Sequence, residues 1–327
     1  MARPRELSVW GLFLGLVRSE DLLPSGCRVL VAVSGGADSV CLLDLLRSAR
    51  RRFRLELVGF HMNHRLRPKA SRDEDFVRGL FEEDELVVVR SDVRRYARRH
   101  GKGLEESARE LRYRHMARAA RRLACARIAL GHTADDNLET VLLNLCRGSG
   151  RRGLAGIPVR RGKYVRPLLD MEHERAVAHL LSRELEWVED ESNRDSSFRR
   201  NYVRLKVVPL LKELNPGVVR NARRASRMLA AEEDELDRVA AMALDRVAVV
   251  KRGRVLIDTA ALQSYNPILT SRMVRQLLSG LEGEAVMRVL DCLCADDPRA
   301  DRFVDGIRLR RDGRFVELDT TRNRLDG

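Results

Sequence analysis

The chain has 327 residues, 44% of them hydrophobic, which is enough apolar material for the cores of about two domains. A net charge of +14 favours a polyanionic partner, with nucleic acid as the first candidate. No apolar segment approaches the ~18 residues of a membrane span, so we expect no membrane partner and a cytoplasmic protein.

The N-terminal residues contain an apolar run from Val9 to Val17. A signal peptide would need a small-residue cleavage site after this run, and the sequence has none there. We therefore predict an amphipathic helix that packs on the core.

The first half of the sequence alternates apolar strands with helical stretches. The predicted strands are Arg28–Val33, Leu55–Met62, Leu86–Arg90 and Arg127–Gly131, and the predicted helices are Ser39–Ala49, Ala70–Glu83, Leu104–Ala124 and Ala134–Cys146. This alternation is typical of an α/β fold with a doubly wound parallel sheet. Ligands of such sheets bind outside the carboxyl ends of the strands, so motifs that follow different strands are expected to meet at one edge.

The hexapeptide SGGADS lies between the first predicted strand and its helix. It comprises Ser34, Gly35, Gly36, Ala37, Asp38 and Ser39. Two glycines let the backbone approach a phosphate, and the amides and dipole of the helix N-terminus favour an anion there. The loop lacks the lysine of a Walker A motif but matches SGGxDS, the pyrophosphate loop of ATP pyrophosphatases. An ordinary glycine turn is the alternative interpretation.

The motif HMNHRLR at 61–67 ends the second strand and includes Met62, Asn63 and His64. Its two histidines are three residues apart, but no H-E-x-x-H pattern or cysteine partner supports zinc. We predict that the motif lies at the edge of the site and holds phosphates or a nucleotide.

The motif ESARELRY at 106–113 places Arg109 and Arg112 on one helical face. Such a pair would neutralise charge that develops during transfer of a phosphoryl-type group. A solvated, arginine-rich helix face is the alternative.

The motif GHTADDNLET at 131–140 follows the fourth strand. Asp135 and Asp136 open a helix, and Glu139 shares their face one turn later. Clustered carboxylates repel each other unless a cation lies among them, and Mg²⁺ or a substrate ammonium would serve. Plain helix capping with an exposed glutamate is the alternative.

The second half of the sequence is expected to contain the domain boundary. After a predicted loop at Arg147–Gly156 come helices at Glu172–Glu184 and Phe198–Leu211, the latter ended by Pro209. Asn215-Pro216-Gly217 is a strong breaker, which divides the chain into residues 1–214 and a smaller, mainly helical domain at 215–327. The elements predicted there are helices Val218–Val247, Pro267–Ser279 and Glu284–Cys294, and strands Gly253–Asp258, Phe303–Asp305, Ile307–Arg311 and Arg314–Leu318, with a hairpin turn at Asp312-Gly313.

Taken in order, these motifs resemble those of the tRNA(Ile)-lysidine synthetases, a family of the PP-loop ATP pyrophosphatases (adenine nucleotide alpha hydrolase-like fold). The series continues with RGSGRRGLAGI at 147–157, RPLL at 166–169, DESNRD at 190–195 and RRNYVR at 199–204. SGGxDS alone names only the superfamily, whereas the later motifs are specific to this family. The chain departs from many relatives at Thr133, where they have a second histidine, and its length resembles the family's short form.

The resemblance implies a ligase that uses ATP and Mg²⁺ to adenylate C2 of the wobble cytidine in tRNA(Ile) with a CAU anticodon. Free L-lysine then displaces AMP through its ε-amine to form lysidine, which changes the codon that is read from AUG to AUA. A carboxylate beside the amine would bind the cation first and then help to remove a proton.

The resemblance also suggests roles for individual residues. The expected ATP contacts are Ser34, Gly35, Gly36, Ala37, Asp38, Ser39, Met62, Asn63, His64, Arg109 and His132. The expected catalytic residues are Asp38, Asp136, Glu139 and Arg112, and Asp38 and Asp136 are the expected Mg²⁺ ligands. The expected contacts to lysine or RNA are Asp135, Asp136, Glu139, Asn193, Arg200, Asn201 and Arg204.

The long predicted helix carries a series of arginines that is expected to contact tRNA phosphates. These are Arg220, Arg223, Arg224 and Arg227. A solvated basic face is the alternative, and a homodimer is left open.

Two other functions fit parts of the sequence. A tRNA thiolase that uses an iron–sulfur cluster or a persulfide would need well-placed cysteines, and the six cysteines include no C-x-x-C pair. A non-catalytic RNA-binding protein would have no need for both the SGGADS loop and the acidic helix.

Overall fold

A computed structural model describes residues 8–65, 70–189, 198–251, 254–278, 284–295, 301–304 and 306–319. The chain forms two compact units, Met1–Leu229 and Ala230–Gly327. They divide inside the long helix Val218–Val247, which itself begins directly after the predicted breaker. The domain limits 1–214 and 215–327 therefore stay predictions, since the helix continues across the division between the units.

The first unit is an α/β fold, as the sequence predicted. Its strands are β1 (Arg28–Ala32), β2 (Glu56–Asn63), β3 (Glu85–Arg90), β4 (Arg127–Ala129), β5 (Arg160–Arg161) and β6 (Tyr164–Val165). Its helices are α1 (Val9–Ser19), α2 (Ala37–Phe53), α3 (Ala70–Gly79), α4 (Val93–His100), α5 (Leu104–Arg122), α6 (Ala134–Cys146), α7 (Arg151–Leu154), α8 (His173–Ser182), α9 (Arg199–Tyr202) and α10 (Val208–Leu214), followed by α11 (Val218–Val247). The strand order is β3-β2-β1-β4-β6-β5, parallel throughout except for β5, which pairs antiparallel with β6.

Side chains of the central strand β1 enter two different cores. Val29 and Val31 are buried in a cluster with residues of α1, α2 and α8. Leu30, which points the other way because side chains alternate along a strand, is buried with Leu111 and Met116 of α5. Helices thus cover both faces of the sheet, which confirms the predicted doubly wound architecture.

The N-terminal helix α1 packs on the first of these cores. Its residues Phe13, Leu16 and Val17 are buried, and the Ser8 side chain caps the helix by accepting a hydrogen bond from Gly11 N at 3.0 Å. Neither α1 nor any other helix in the described ranges has the length and apolar character needed to cross a bilayer.

The helix predicted at 198–211 is present but does not end at Pro209. Helix α9 passes into a π-helical turn at Val203–Val207, in which Val208 N–H donates to Val203 O, and α10 then begins. A proline has no N–H and its ring clashes with the carbonyl four residues earlier. The wider turn lets the chain remain helical despite Pro209.

Four short elements of the first unit lie where the sequence predicted none. Helix α4 is almost entirely polar, the predicted loop at 147–156 contains α7, and the two-residue strands β5 and β6 are too short to show a period. Each is fixed by long-range packing, which local patterning does not reveal.

The second unit combines helices with an antiparallel sheet. Its helices are α12 (Thr259–Gln263), α13 (Pro267–Leu277) and α14 (Glu284–Cys294), together with the end of α11. Its strands are β7 (Ala248–Lys251), β8 (Arg254–Asp258), β9 (Asp301–Val304), β10 (Ile307–Asp312) and β11 (Phe315–Asp319), in the order β7-β8-β11-β10-β9. Strands β10 and β11 form the predicted hairpin, with Gly313 at φ +60° in its turn. Gly253, Ser279 and Asp305, at the ends of predicted elements, lie outside the described residues.

A buried glutamate on α3 joins the ends of two strands in the first unit. Glu74 accepts hydrogen bonds from Asn63 at the end of β2 (3.1 Å), from Arg90 at the end of β3 (2.9 and 2.8 Å) and from Arg78 (3.1 and 2.9 Å). Its side chain is 2% exposed. The hydrogen bonds from Arg90, aided by those from Arg78 and Asn63, lower the pKa of Glu74 from 4.5 to about 2.

We expect Glu74→Gln to lower the free energy of unfolding at pH 7 by about 3 kcal/mol, which is the free energy equivalent of this pKa shift. Because the folded-state pKa is depressed, the contribution is complete above pH 4.5 and is lost as the pH falls towards 2. Denaturant unfolding across this range should show a flatter acid limb in the variant. The control is Glu85→Gln, which removes the exposed ion pair with Arg28 and should cost about 0–1 kcal/mol. Equal losses in the two variants would contradict the prediction.

Candidate active site

The SGGADS turn joins β1 to α2 at the carboxyl edge of the sheet. Ser39 Oγ accepts hydrogen bonds from the N–H groups of Ser34 and Gly35, both at 3.2 Å, and donates to Gly36 O at 2.8 Å. Gly35 has φ +95°, a backbone conformation that side-chain-bearing residues rarely adopt. The turn is thereby held open, with the first amides of α2 at the crevice, where they lack carbonyl partners within the helix and favour an anion.

Neighbouring segments fix this turn from two sides. His61 Nδ1 on β2 donates to Val33 O at 2.9 Å, and Val188 N donates to Gly35 O at 2.9 Å. Burial lowers the pKa of His61, which favours its neutral form. The residue that precedes the turn and the first glycine within it are both held by other parts of the chain.

A third contact comes from Gly131, just beyond β4. A Cβ at Gly131 would lie 3.0 Å from Asp38 O and 3.2 Å from Ser39 Cα, both backbone atoms that cannot swing aside.

We therefore expect Gly131→Ala to displace the start of α2 and to raise the KM for ATP by about tenfold or more. Gly15→Ala is the control, since a Cβ there meets nothing within 4 Å. Unchanged ATP kinetics in a folded Gly131→Ala variant would contradict this role.

Three residues at the end of β2 were predicted to contact the nucleotide, and their side chains have different environments. These residues are Met62, Asn63 and His64. Met62 is buried in the apolar cluster that contains Leu111 and Met116, so its side chain does not line the crevice, which corrects the prediction for its side chain. Asn63 uses both ends of its amide, donating to Glu74 and accepting from Arg65 N at 3.0 Å. His64 follows at the strand end and is half-buried. The side chains of Met62 and Asn63 thus pack within the protein, and a contact of this motif with a nucleotide stays a prediction.

The acidic residues of α6 form a compact cluster with two arginines. Glu139, which is 1% exposed, lies 2.8 Å from Arg200 Nε and 2.5 Å from Arg204 Nε. Asp136 Oδ1 lies 2.9 Å from an Arg200 terminal nitrogen and 3.4 Å from one of Arg204. Asp136 and Glu139 therefore share one cluster, and two guanidinium groups from α9 and the π-helical turn balance their charge. Asp135, the third carboxylate predicted on this face, is not part of this cluster.

Asp136 has a second role at the start of α6. Its Oδ2 accepts a hydrogen bond from Thr133 N at 2.9 Å, which closes a capping box with Thr133 as the N-cap residue. Burial raises the pKa of Asp136, but the charges of Arg200 and Arg204 and the hydrogen bond from Thr133 N outweigh burial and keep this pKa below its usual value. Thr133 thus has a structural use at the position where many relatives carry histidine.

Asp38 connects the turn to the acidic helix through His173 on α8. Asp38 Oδ1 lies 2.8 Å from His173 Nδ1, and His173 N donates to Asp135 Oδ2 at 2.7 Å. Lys212 Nζ lies 3.9 Å from Asp135 Oδ1 on the far side. The SGGADS turn and Asp135 are therefore separated by one residue, His173. The two motifs lie close together at one edge of the sheet, as expected for motifs that follow parallel strands.

Arg112 and the neutral His132 provide buried N–H donors beside the acidic helix. Arg112 Nε is buried and has no hydrogen-bond partner in the described part of the chain, and burial lowers its pKa. His132 Nδ1 accepts a hydrogen bond from Arg166 Nε at 3.2 Å, and burial lowers the pKa of His132 to about 3. His132 is therefore neutral, with its Nε2–H available as a donor.

The arginines of α11 are largely paired with acids. Arg223 is buried with Nε 2.7 Å from Asp170, so it is removed from the predicted tRNA surface. Arg227 lies 3.2 Å from the same carboxylate, and Arg220 lies 3.4 Å from Glu172. Arg224 is exposed. The periodicity predicted a shared solvent-facing side, and instead part of this series anchors α11 to the first unit.

Two other predicted contacts have different outcomes. Asn193 lies outside the described residues, and Asn201 is half-buried on α9 between Arg200 and Tyr202. The sequence prediction missed His173, which begins a helix after a stretch without a clear period. The only sequence signal for His173 is that it lies four residues after the RPLL motif, which ends at Leu169.

Asp38 fits a magnesium ion better than Asp136 does. Asp38 Oδ1 contacts His173, and the described residues provide no hydrogen bond to Oδ2. Both Asp136 oxygens are already used by Thr133, Arg200 and Arg204. The described part of the chain contains no cluster of three or more metal-ligating side chains. A single carboxylate suits Mg²⁺, which is usually held mainly by substrate phosphates and water.

Comparison with known proteins identifies relatives for most of the chain. A family model described as a PP-loop domain matches residues 17–211. The chain is 46% identical over 208 residues to a tRNA(Ile)-lysidine synthase from Porphyromonas gingivalis, covering 62% of this chain and 45% of that protein. It is 38% identical over 278 residues to a tRNA(Ile)-lysidine synthase from Geobacter sulfurreducens, covering 83% and 59%. The chain thus spans about half the length of the curated relatives it matches.

A solved structure supports the fold. The U34-tRNA thiolase NcsA from Methanococcus maripaludis, described with its [4Fe-4S] cluster, superposes with a TM-score of 0.56. The match covers 67% of this chain and 78% of that one at 18% identity, so it bears on architecture alone.

Proposed function

Because the chain belongs to the PP-loop family, we propose that it is a ligase that activates the wobble cytidine of an isoleucine tRNA with ATP and then attaches free lysine. The relatives named above support this choice of substrates. The main structural support for this proposal is the contact between two motifs. Asp38 of the SGGADS turn is linked through His173 to Asp135 at the start of α6.

The first step would transfer adenylate to the cytidine. The C2 oxygen attacks the α-phosphorus of ATP, and the bond to the β-phosphate oxygen breaks to release pyrophosphate. The amides that open α2 would bind the phosphates, and Arg112 and the His132 Nε2–H would stabilise the negative charge that develops. Asp38 would hold Mg²⁺, which neutralises phosphate charge when bound.

The second step would join lysine to the same carbon. The lysine nitrogen attacks C2, the bond from C2 to the adenylate oxygen breaks, and AMP leaves. With a pKa near 10.4, the amine is about 4–5 kcal/mol less stable in its neutral form at pH 7, so a nearby carboxylate must first bind the cation and then accept its proton. Asp136 and Glu139 are our candidates for that role.

The arginine pair sets a condition on lysine binding. Two carboxylates and two guanidinium groups already balance, so an ammonium group that enters the cluster must displace one arginine. Arg204 is the better candidate to move, because its side chain is 39% exposed and that of Arg200 only 24%. Displacement of Arg204 would leave Glu139 with Arg200 on one oxygen and the substrate amine on the other.

Sulfur transfer is less well supported by these residues. Cys41 is the cysteine that follows the turn most closely in sequence, and burial raises its pKa to about 12. A thiol with that pKa is not a thiolate near neutral pH and is therefore a poor nucleophile. Burial also raises the pKa of Cys27 and Cys125, which are free thiols as well.

An incorporation assay tests the proposal. The protein is incubated with tRNA(Ile) transcript, ATP and labelled lysine, and we expect label in the RNA together with release of AMP and pyrophosphate. A transcript with guanine at the wobble position is the matched control. Tight tRNA binding without incorporation would favour a binding protein, and sulfur incorporation from a sulfide donor would favour a thiolase.

A further inference from the structure

Beside the crevice, two tyrosines and two arginines form a patch that the assigned steps do not use in full. The rings of Tyr113 on α5 and Tyr164 on β6 are 5.0 Å apart between centroids. The Arg109 guanidinium carbon lies 5.2 Å from the Tyr113 ring centroid. Arg161 on β5 is directly opposite Tyr164 in the antiparallel pair. We call Arg109, Tyr113, Tyr164 and Arg161 the Arg–Tyr patch.

Strand pairing places Arg161 on the tyrosine side of its hairpin. Residues opposite each other in an antiparallel pair share a face, so Arg161 shares that of Tyr164. Arg160 is opposite Val165, whose side chain is buried in the core cluster with Val29 and Val31. Since successive side chains of a strand alternate, Arg160 and Arg161 point to opposite faces of the hairpin. Both are exposed and both carry a positive charge.

The patch carries positive charge that the chain itself does not balance. Neither Arg109 nor Arg161 makes an ion pair with a carboxylate in the described residues, and Arg112 and Arg166 lie next to them without one as well. Burial lowers the pKa of Arg166, and the nearby charges of Arg109 and Arg161 lower it further. By contrast, the arginines beside Glu74, Glu139 and Asp170 are paired with these acids.

An uncompensated cluster of arginines beside aromatic rings is suited to single-stranded nucleic acid, because guanidinium groups bind phosphates and rings stack with bases. The cluster is also continuous with the crevice, since Arg166 donates to His132 there. A strand whose target base enters the crevice would therefore pass over this patch.

We propose that the Arg–Tyr patch, through Arg161 and Arg109, binds a phosphate of the RNA strand next to the nucleotide that is modified. The inference rests on the proposed function for the identity of the RNA. It assigns Arg161, for which the sequence suggested no role, to RNA binding. It also moves Arg109 from the expected ATP contacts to the RNA.

Binding of tRNA(Ile) transcript by Arg161→Ala and Arg160→Ala at several salt concentrations tests the proposal. For Arg161→Ala we expect affinity to fall by about three- to tenfold and the slope of log K against log salt to decrease by about 0.7, the value for one contact to a single strand. Arg160→Ala should change the affinity and the salt slope much less. Arg161→Lys should recover the salt slope, since it restores the charge.

The KM for ATP distinguishes the two sources of phosphate. An unchanged KM for ATP with weakened tRNA binding supports the proposal, whereas a raised KM for ATP with normal tRNA binding would overturn it in favour of a nucleotide contact. Equal effects of Arg160→Ala and Arg161→Ala would also overturn it, because the face would then not matter. If the wild-type protein bound tRNA but incorporated no lysine, the proposed function would be wrong. The difference in tRNA binding between Arg160→Ala and Arg161→Ala could still be measured.

Discussion

Asp38→Asn is expected to reduce tRNA-dependent exchange between ATP and pyrophosphate by on the order of 10²–10³-fold, the usual scale for loss of one preorganised electrostatic group at a reacting centre. Asp38 lies in the first turn of α2, holds His173 at 2.8 Å and is the carboxylate that fits a magnesium ion. Asparagine keeps the size of the side chain but removes its negative charge. Incorporation of lysine should fall equally, since no adenylated intermediate would form.

Asp44→Asn is a closely matched control for this change. Asp44 lies on the same helix and contacts His179 at 2.7 Å, so α2 and α8 are joined by two similar aspartate–histidine pairs. Only Asp38 belongs to the SGGADS turn. Any loss caused by weaker packing of α2 on α8 should appear in both variants. If Asp44→Asn lost exchange activity as severely as Asp38→Asn, we would assign Asp38 a structural role instead.

Glu139→Gln should separate the two chemical steps. We expect exchange between ATP and pyrophosphate to persist, because the phosphate-binding groups remain, while transfer of lysine falls by about 10²–10³-fold with loss of the group that accepts the proton. The change also leaves Arg200 and Arg204 with one carboxylate, Asp136, and should lower the free energy of unfolding by about 3 kcal/mol. Single-turnover transfer from preformed adenylated tRNA measures the second step directly.

Loss of stability in Glu139→Gln requires its own control. Glu233 in the second unit is also buried and lies 2.6 Å from the buried Arg272. Glu233→Gln should therefore destabilise its unit without selective loss of the lysine step. If Glu139→Gln transferred lysine at the wild-type rate below its melting temperature, the carboxylate would not be the proton acceptor.

The elements with strong local patterns could be predicted from the sequence. The apolar run that became β1, the turn at Ser34–Ser39 and the helix at Ala134–Cys146 were predicted at or within a residue of their positions, because each has its own signal in consecutive residues. Met62 was assigned to the crevice by its motif, although its side chain belongs to the core. In a strand, neighbours point to opposite faces, and a motif match does not say which residues face the ligand.

The contacts between distant segments could not be predicted in the same way. The sequence placed carboxylates together on α6 but did not show that Arg200 and Arg204 neutralise them from 61 and 65 residues away. Likewise, the spacing of the α11 arginines is compatible with a solvated face. Only the fold reveals that Arg223 is buried and forms an ion pair with Asp170. Pairing of charges across the fold is a tertiary property, which spacing along one helix does not reveal.

The extra residue in the π-helical turn before Pro209 sets the angle at which Arg200 and Arg204 face the acids of α6. Proline at this position discourages a return to regular α-helical winding. Without it, the turn could tighten by one residue, and everything upstream would rotate by about 100° relative to α10. Such a rotation would swing both guanidinium groups away from α6, so a single substitution that touches neither the acids nor the arginines would leave Asp136 and Glu139 without their counter-charges.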